Sequence, residues 1–256
     1  MGQIAGWGAL IIGDEITRGK RQDKHFGRAV EIFAARGLHL DWLLYIGDDR
    51  RRLTETLRRT MAESDVVLSF GGIGVTPDDH TRQAAAAAAG LPLVLHPEAE
   101  AEIRARFAAS GGEVTPQRLQ LGEFPAGSRI IPNPYNRIPG FSLGDHHFVP
   151  GFPQMAWPML EWVLDTCYRD RFHAVAETDA AIIVWEGMES TLLPLMRRVE
   201  ADYPHARVFS LPSFGSENTR RHIELGMRGD PSEVNAAMAE IRDEVTRLGY
   251  AWEEQV

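Results

Sequence analysis

Short apolar runs alternate with amphipathic stretches in the N-terminal part of the chain. Each apolar run is followed by glycine and predicts a buried strand: Trp7 to Ile12, Leu40 to Ile46 and Val66 to Phe70. The stretches between and after them repeat apolar residues at helical spacing and predict helices: Asp23 to Arg36, Arg52 to Ala62 and Asp79 to Ala89. This alternation is typical of a parallel sheet covered by helices, with right-handed crossovers.

The pattern changes after a further predicted helix at Pro97 to Ala109. The segment from Ser110 to Pro153 is rich in glycine and proline, and its apolar pieces predict short strands joined by loops: Arg129 to Ile131 and His147 to Val149. Residues from Pro153 to Tyr168 are apolar nearly all round, which predicts a helix that packs on both sides. Pro158 is a candidate for the true start of this helix.

A second, small α/β domain is predicted beyond a boundary near Arg169 to Ala174. Its elements follow in the order strand, helix, strand, strand, helix: Ala180 to Trp185, Ser190 to Ala201, Arg207 to Leu211, Arg221 to Met227 and Pro231 to Leu248. Alternating polar and apolar residues in these strands predict a sheet with one face under helices. We therefore expect two domains, residues 1–170 and residues 171–256.

Composition narrows the choice of partners. The chain has 256 residues, 44% of them hydrophobic, and a net charge of −9, which argues against a nucleic-acid partner. The lone cysteine, Cys167, excludes an intramolecular disulfide and fits a reducing compartment. We find neither an apolar run of the roughly 18 residues that a membrane span needs nor a signal peptide. A soluble cytoplasmic protein without membrane partners is expected.

The segment SFGGIGVTPDDHTR, from Ser69 to Arg82, is the most informative for function. Its glycines lie where the third predicted strand meets a helix: Gly71, Gly72 and Gly74. Glycines at such a junction let backbone N–H groups approach an anion closely, and Thr76 can add a hydroxyl donor. The segment therefore predicts a phosphate-binding loop.

Two adjacent carboxylates, Asp78 and Asp79, follow the glycines. They would repel a bare phosphate unless a divalent cation lay between them, so the local chemistry predicts a phosphorylated ligand with Mg²⁺ or another divalent metal. The alternative interpretation is a tight turn without ligand, in which Asp79 is the N-cap of the following helix.

Several motifs occur in the order found in one known family. They are Gly13-Asp14-Glu15 with Gly19 and Asp23, Gly47-Asp48-Asp49, Gly71 to Asp79 with Thr81, Pro132-Asn133, Pro139-Gly140-Phe141 and Pro150-Gly151-Phe152-Pro153. Over residues 1–170 the chain resembles the molybdopterin-binding fold of MoaB/Mog-like molybdenum-cofactor biosynthesis proteins and of the N-terminal part of the competence/damage-inducible protein A family. The second domain resembles the small α/β domain that follows in the competence family. The amidase domain of its longer members is not expected here.

The resemblance implies a phosphate-bearing pterin or adenine-nucleotide ligand at the carboxyl ends of the strands. It implies catalytic roles for Asp78, Asp79 and Asp14, with Asp78 and Asp79 as metal ligands. The ligand-binding residues that it suggests are Gly13, Glu15, Lys24, Gly71, Gly72, Gly74, Thr76, Thr81, Asn133, Gly140 and Gly151. For Asn133 an Asx-turn is an equal alternative. Relatives also suggest a homo-oligomer, a dimer or a trimer.

Two departures from the family pattern bear on activity. Met155 stands where the competence family carries a glutamate, and a methionine neither ligates a hard cation well nor acts as a base. Asp23-Lys24-His25 replaces Asp-Thr-Asn, and Lys24 and His25 can still hold a phosphate. Three hypotheses follow: a ligand-binding protein, a metal-dependent pyrophosphatase acting on ADP-ribose, FAD or NAD, and an interaction protein with a vestigial site. Whether the chain is an enzyme stays open.

Overall fold

The predicted parallel sheet is present in the computed structural model, which describes residues 6–174, 176–215 and 220–255. The chain divides into two units, Met1–His173 and Ala174–Val256. The strands of the first unit are β1 Trp7–Ile12, β2 Trp42–Ile46, β3 Val66–Phe70, β4 Leu93–Leu95, β5 Glu123–Pro125, β6 Arg129–Ile131, β7 Gly140–Leu143 and β8 His146–Val149. Its helices are α1 Asp14–Thr17, α2 His25–Ala34, α3 Arg50–Thr60, α4 Thr81–Ala89, α5 Pro97–Ala109, α6 Pro116–Leu119 and α7 Pro153–Cys167.

The main sheet has the strand order β2-β1-β3-β8-β7-β6. β1 pairs in parallel with β2 and β3, and β3 with β8, whereas β7 runs antiparallel to both β8 and β6. β4 and β5 form a separate antiparallel pair. The carboxyl ends of β1, β2, β3 and β8 therefore lie along one edge of the sheet. The prediction of a mostly parallel sheet with helices is confirmed.

Apolar side chains are buried on both faces of this sheet, as parallel strands require. Along β1, Trp7, Ala9 and Ile11 enter the cluster that contains residues of α2 and α7, whereas Leu10 and Ile12 enter the cluster with α3 and α4. The alternation explains why the whole strand reads as one apolar run. The strand ends at Ile12, and the loop that follows begins with Gly13.

The starts of two helices resolve alternatives in the sequence analysis. α7 begins at Pro153, as the apolar pattern predicted, and Pro158 lies inside the helix. The alternative start at Pro158 was wrong, because one continuous face of buried residues holds the helix despite the one missing hydrogen bond. α4 begins at Thr81 rather than at Asp79.

The second unit is an antiparallel sheet with helices on one face. It contains β9 Thr178–Trp185, α8 Glu189–Asp202, β10 Ala206–Ser213, β11 His222–Gly229, α9 Pro231–Arg247 and β12 Trp252–Glu254, with the strand order β10-β11-β9-β12. Alternate residues of the strands, such as Ile182, Val184 and Leu225, pack against both helices. The sequence predicted this arrangement but not β12. No helix in the described ranges is long and apolar enough to span a membrane.

Adjacent histidines in β8 point to opposite faces of the main sheet. His146 Nε2 lies 2.9 Å from Thr60 Oγ1, while His147 lies between Ser142 Oγ at 2.8 Å and the Tyr168 hydroxyl at 2.7 Å. Tyr168 uses its only proton to donate to Asp145 Oδ1 at 3.0 Å. His147 therefore donates from Nε2 and accepts from Ser142 at Nδ1, which is the neutral tautomer.

These histidines predict a loss of stability in mild acid. Burial lowers the pKa of His146 to about 4 and that of His147 to about 3. The unfolded chain takes up these protons below pH 6.5 while the folded chain does not, so the stability is complete above pH 6.5 and is lost as the pH falls toward 4. Between pH 7 and pH 5 we expect each histidine to remove roughly 2 kcal/mol from the free energy of unfolding.

Urea unfolding at several pH values measures this effect. His146→Gln is expected to show a smaller decrease in unfolding free energy on acidification than the wild type. Equal decreases in the two proteins would contradict the assignment to His146.

Candidate functional site

A glycine loop of residues 71–80 joins β3 to α4 at the carboxyl edge of the main sheet. Gly71 and Gly72 have φ values of 104° and 69°, in the left-handed region that favours glycine. A Cβ on Gly71 would lie 2.5 Å from the Ile12 carbonyl oxygen, and a Cβ on Gly72 would overlap the Thr81 hydroxyl. Both positions therefore need glycine for the loop to close against β1 and α4.

Thr81 and Arg82, the first residues of α4, hold the carbonyl groups of this loop. Thr81 is fully buried; its backbone N–H donates to Gly72 O and its hydroxyl donates to Gly71 O, both at 3.0 Å. The Arg82 Nη2 donates to Gly74 O at 2.6 Å. Three loop carbonyls thus point toward the start of the helix.

The same hydrogen bonds set the direction of three N–H groups. In a trans peptide the N–H points opposite to the C=O, so the N–H groups of Gly72, Ile73 and Val75 point away from Thr81 and Arg82. Within the described ranges none of these N–H groups has a hydrogen-bond acceptor. The loop consequently presents unpaired donors, which is the chemistry that binds an oxyanion.

Asp79 closes the second half of the loop. Its Oδ2 accepts from the Thr76 backbone N–H at 2.8 Å and from the Thr76 hydroxyl at 2.5 Å, and its own N–H donates to Thr76 O at 2.9 Å. The N-cap position of α4 is His80, without a side-chain hydrogen bond. The alternative interpretation of Asp79 as an N-cap was therefore wrong. One carboxylate oxygen of Asp79 accepts hydrogen bonds within the turn instead.

The loops after β1 and β2 brace each other through two aspartates. The Asp14 N–H donates to Asp48 Oδ2 at 2.8 Å, and the Asp48 N–H donates to Asp14 Oδ1 at 3.2 Å. Asp49 caps α3 by accepting from the Arg52 N–H at 2.7 Å. Asp48, in contrast, braces the loop after β1 and does not cap α3.

Asp14, Glu15, Asp48 and Asp78 form an acid cluster at this edge. Burial raises the pKa of Asp48, and the negative charges of Asp14, Glu15 and Asp78 raise it further, against the hydrogen bond from the Asp14 N–H. The glycine loop thus brings Asp78 within electrostatic range of the loops after β1 and β2. Asp78 itself is exposed, and the nearby Thr76 hydroxyl and its own N–H lower its pKa.

The acid cluster is not a closed metal site. Among the described residues, no group of three or more His, Cys, Asp or Glu side chains has the geometry to hold a metal ion. Asp14 also pairs with Arg18, whose Nη2 lies 2.6 Å from Asp14 Oδ2. A cation at this edge would need ligands beyond the side chains that the fold supplies.

His25 and Gly151 lie near Gly71, at the start of the glycine loop. Gly151 lies so close that a Cβ on it would be 3.4 Å from Gly71 Cα. His25 is 6% exposed, donates from Nε2 to Gly151 O at 3.1 Å and stacks on Phe70 with 4.8 Å between ring centroids. Burial lowers its pKa. The neighbouring Lys24 is exposed at the residue before α2.

Asn133 uses its side chain within its own loop. Its Oδ1 accepts from the Tyr135 N–H at 3.1 Å, and its Nδ2 donates to Asn136 Oδ1 and Ile138 O, both at 2.9 Å. This is the Asx-turn that the sequence left as an alternative to ligand binding. Asn136 in turn donates to Met155 Sδ at 3.1 Å.

Gly140 lies at the start of β7, where a Cβ would overlap the Phe148 carbonyl oxygen. Its requirement for glycine thus follows from strand packing. Gly13 donates its N–H to Ile46 O at 3.0 Å, and a Cβ on it would lie 2.6 Å from Glu15 Oε2. Gly13 and Glu15 belong to the acid side of the site, near Asp14.

Sequence reasoning missed Arg82 and Asp48. Arginine in the first turn of a helix is usually solvated, and only the burial of Arg82 at 3% exposure distinguishes it. The signal for Asp48 was present, because Asp14 and Asp48 follow neighbouring parallel strands and so meet at one edge. A candidate site could have included Asp48 on that ground.

Comparison with known proteins agrees with this architecture. A family described as "Probable molybdopterin binding domain" matches residues 8–169. A protein of Pyrobaculum arsenaticum is 27% identical over 93% of this chain and 92% of its own length. A CinA-like protein of Syntrophotalea carbinolica is 35% identical over 59% of this chain, which spans only 38% of that relative. The crystal structure of the protein CinA of Thermoplasma acidophilum, described as of unknown function, is 26% identical, has a TM-score of 0.56 and covers 63% of this chain and 97% of its own.

The fold and the loop define an open α/β domain with a glycine loop at the carboxyl ends of its parallel strands. The family match covers most of the first unit, including β1, the acid cluster, the glycine loop and α7. The chain belongs to the molybdopterin-binding domain family, as the motifs predicted, and its first unit is similar to CinA-like proteins.

The Thr81 hydroxyl is expected to stabilise the loop. Thr81→Val keeps the shape but removes the donor to Gly71 O, so a buried carbonyl loses its partner at about 1–3 kcal/mol of unfolding free energy. Thr81→Ser keeps the hydroxyl and should lose less. Urea unfolding of the two variants measures the difference, and equal stabilities would contradict a role for this hydrogen bond.

Proposed function

We propose that this chain binds a phosphorylated pterin or an adenine nucleotide at the glycine loop. The observation that carries the proposal is the set of unpaired N–H groups of Gly72, Ile73 and Val75, directed away from the start of α4. A phosphate oxygen accepts such donors in charge-assisted hydrogen bonds, which are the strong ones. The family of probable molybdopterin binding domains supports the choice of a pterin, and the adenine nucleotide is the alternative that the resemblance in sequence implies.

An aromatic side chain beside the loop supports a ligand with a flat ring. Phe152 follows Gly151 directly and is 56% exposed, although a phenylalanine usually buries its ring. Gly151 in turn touches Gly71 at the start of the loop. A pterin or adenine ring bound through its phosphate would have this face available for stacking.

We propose that a divalent cation binds together with the phosphate, beside Asp78. Asp78 is exposed and its lowered pKa keeps it ionised, while burial and the negative charges of Asp14, Glu15 and Asp78 raise the pKa of Asp48. Mg²⁺ commonly takes one or two carboxylates and fills its other positions with phosphate oxygens and water. The ligand would then supply the coordination that the side chains lack.

Met155 argues for binding without hydrolysis. It stands where the competence family carries glutamate, and its sulfur accepts a hydrogen bond from Asn136 at 3.1 Å. A thioether does not ligate a hard cation well and cannot take a proton from water. We therefore do not favour the pyrophosphatase hypothesis. An assay for AMP release from ADP-ribose or FAD tests it.

Calorimetric titration with ADP and with a pterin phosphate, each with and without Mg²⁺, tests the proposal. We expect at least one of them to bind, with an affinity that rises on addition of Mg²⁺. Asp78→Asn should reduce the Mg²⁺ effect by about tenfold, because a hydrogen-bonded amide replaces a charged ligand of the ion.

Asp49→Asn is the matched control, since Asp49 caps α3 and asparagine caps equally well. It should leave both affinities unchanged. If neither compound binds at millimolar concentration, the proposal fails. Release of AMP from ADP-ribose or FAD with Mg²⁺ would instead establish the pyrophosphatase.

A cytoplasmic location stays a prediction from composition, and assembly into a dimer or trimer stays a prediction from the family resemblance. Light scattering on the purified chain measures the assembly directly.

A further inference from the structure

Arg82 is a buried cation without an anionic partner. It is 3% exposed, and its guanidinium donates to the backbone carbonyls of Gly74, Gln120 and Glu123. No carboxylate of the described residues forms an ion pair with it, and its Nε is buried without an acceptor. Burial lowers its pKa, against the more distant charges of Glu123 and Asp79.

Such an arrangement is unfavourable in isolation. Taking a charge out of water without a directly paired opposite charge is unfavourable, and the carbonyl dipoles and the charges of Glu123 and Asp79 offset only part of this. The guanidinium, which forms no ion pair among the described residues, donates to Gly74 O in the middle of the glycine loop. An anion bound at the loop would add a negative charge close to it.

Arg82 also determines the orientation of one peptide. Because its Nη2 holds Gly74 O at 2.6 Å, the Val75 N–H of the same peptide points to the other side. Thr81 does the same for the Gly71–Gly72 and Gly72–Ile73 peptides. Without Arg82, the Gly74–Val75 peptide has no other hydrogen-bond partner among the described residues, and glycine lets it rotate easily.

We propose that Arg82 is the positioning residue of the anion site: it aims the Val75 N–H at the bound phosphate and balances the phosphate charge from beneath the loop. This inference rests on the proposed function. Arg82 would then contribute to the affinity for phosphate groups without contacting the ligand itself.

Inorganic pyrophosphate in the presence of Mg²⁺ is the probe, measured by calorimetric titration of the full chain. Arg82→Gln keeps one N–H donor for Gly74 O but removes the charge, and Arg82→Lys keeps the charge but not the three carbonyl contacts. We expect the dissociation constant to rise by at least about tenfold in Arg82→Gln and less in Arg82→Lys, because a buried charge acts strongly on an anion nearby.

The comparison of the two variants separates charge from structure. If Arg82 only held the fold together, affinity would follow the unfolding free energy of each variant rather than its charge. Arg36→Gln is the matched control: Arg36 also donates to a backbone carbonyl, that of Ile32 at 3.0 Å, but its charge is paired with Asp165. It should lower stability and leave pyrophosphate affinity unchanged.

Amide NMR spectra of the wild type make the test independent of whether the variants fold. Pyrophosphate should move the Val75 N–H resonance downfield, along with those of Gly72 and Ile73. Binding without a shift at Val75, or equal affinity of folded Arg82→Gln and wild type, would overturn the role of Arg82 alone. Absence of any binding to the wild type, with ADP and the pterin phosphate also failing, would overturn the proposed function and this role together.

Discussion

The hydrogen bonds from Thr81 and Arg82 to the carbonyls of Gly71, Gly72 and Gly74 are the constraint on which the site depends. They join the end of β3 to the start of α4, and they leave the N–H side of the same peptides unpaired. A glycine loop without them would have many conformations, because glycine loses the most backbone entropy on ordering. The first turn of α4 thus organises the loop by holding the side of each peptide that a ligand does not use.

This organisation carries an electrostatic penalty on both sides of the loop. Arg82 is a buried cation without a carboxylate partner, and the acid cluster around Asp48 gathers negative charges that oppose its ionisation. Neither feature stabilises the free protein, and the hydrogen bonds between Asp14 and Asp48 hold the acids together nonetheless. Charges kept in unfavourable positions are common at functional sites, where a ligand relieves them.

The sequence predicted most of the fold because glycine and proline mark the ends of its apolar runs and helical stretches. β1, β3 and α5 have the bounds that the apolar pattern indicated. β4, β5 and β12 each have three residues, too few for a period to be recognised, and they were not predicted. Pro158 was misleading because a local rule about proline competes with packing along the whole of α7.

The candidate site was predictable as a location and less so as a mechanism. Strand ends and glycine spacing indicated the loop, because local sequence determines them. The burial of Arg82 depends on carbonyls of Gln120 and Glu123, far away in sequence, and no local pattern encodes that convergence. The position of His25 likewise depends on Gly151 and Phe70.

An oxyanion beside Asp78 would add to the repulsion that Asp48 already experiences, unless positive charge arrived with it. Arg82 can balance an anion only from the protein side, beneath Gly74, whereas the acid cluster faces the loop from β1 and β2. A cation beside the acid cluster, and an anion between that cation and Arg82, would place each charge next to an opposite one. The proposed pairing of a phosphate with a cation would therefore relieve the charges on both sides of the loop, which a phosphate alone would not.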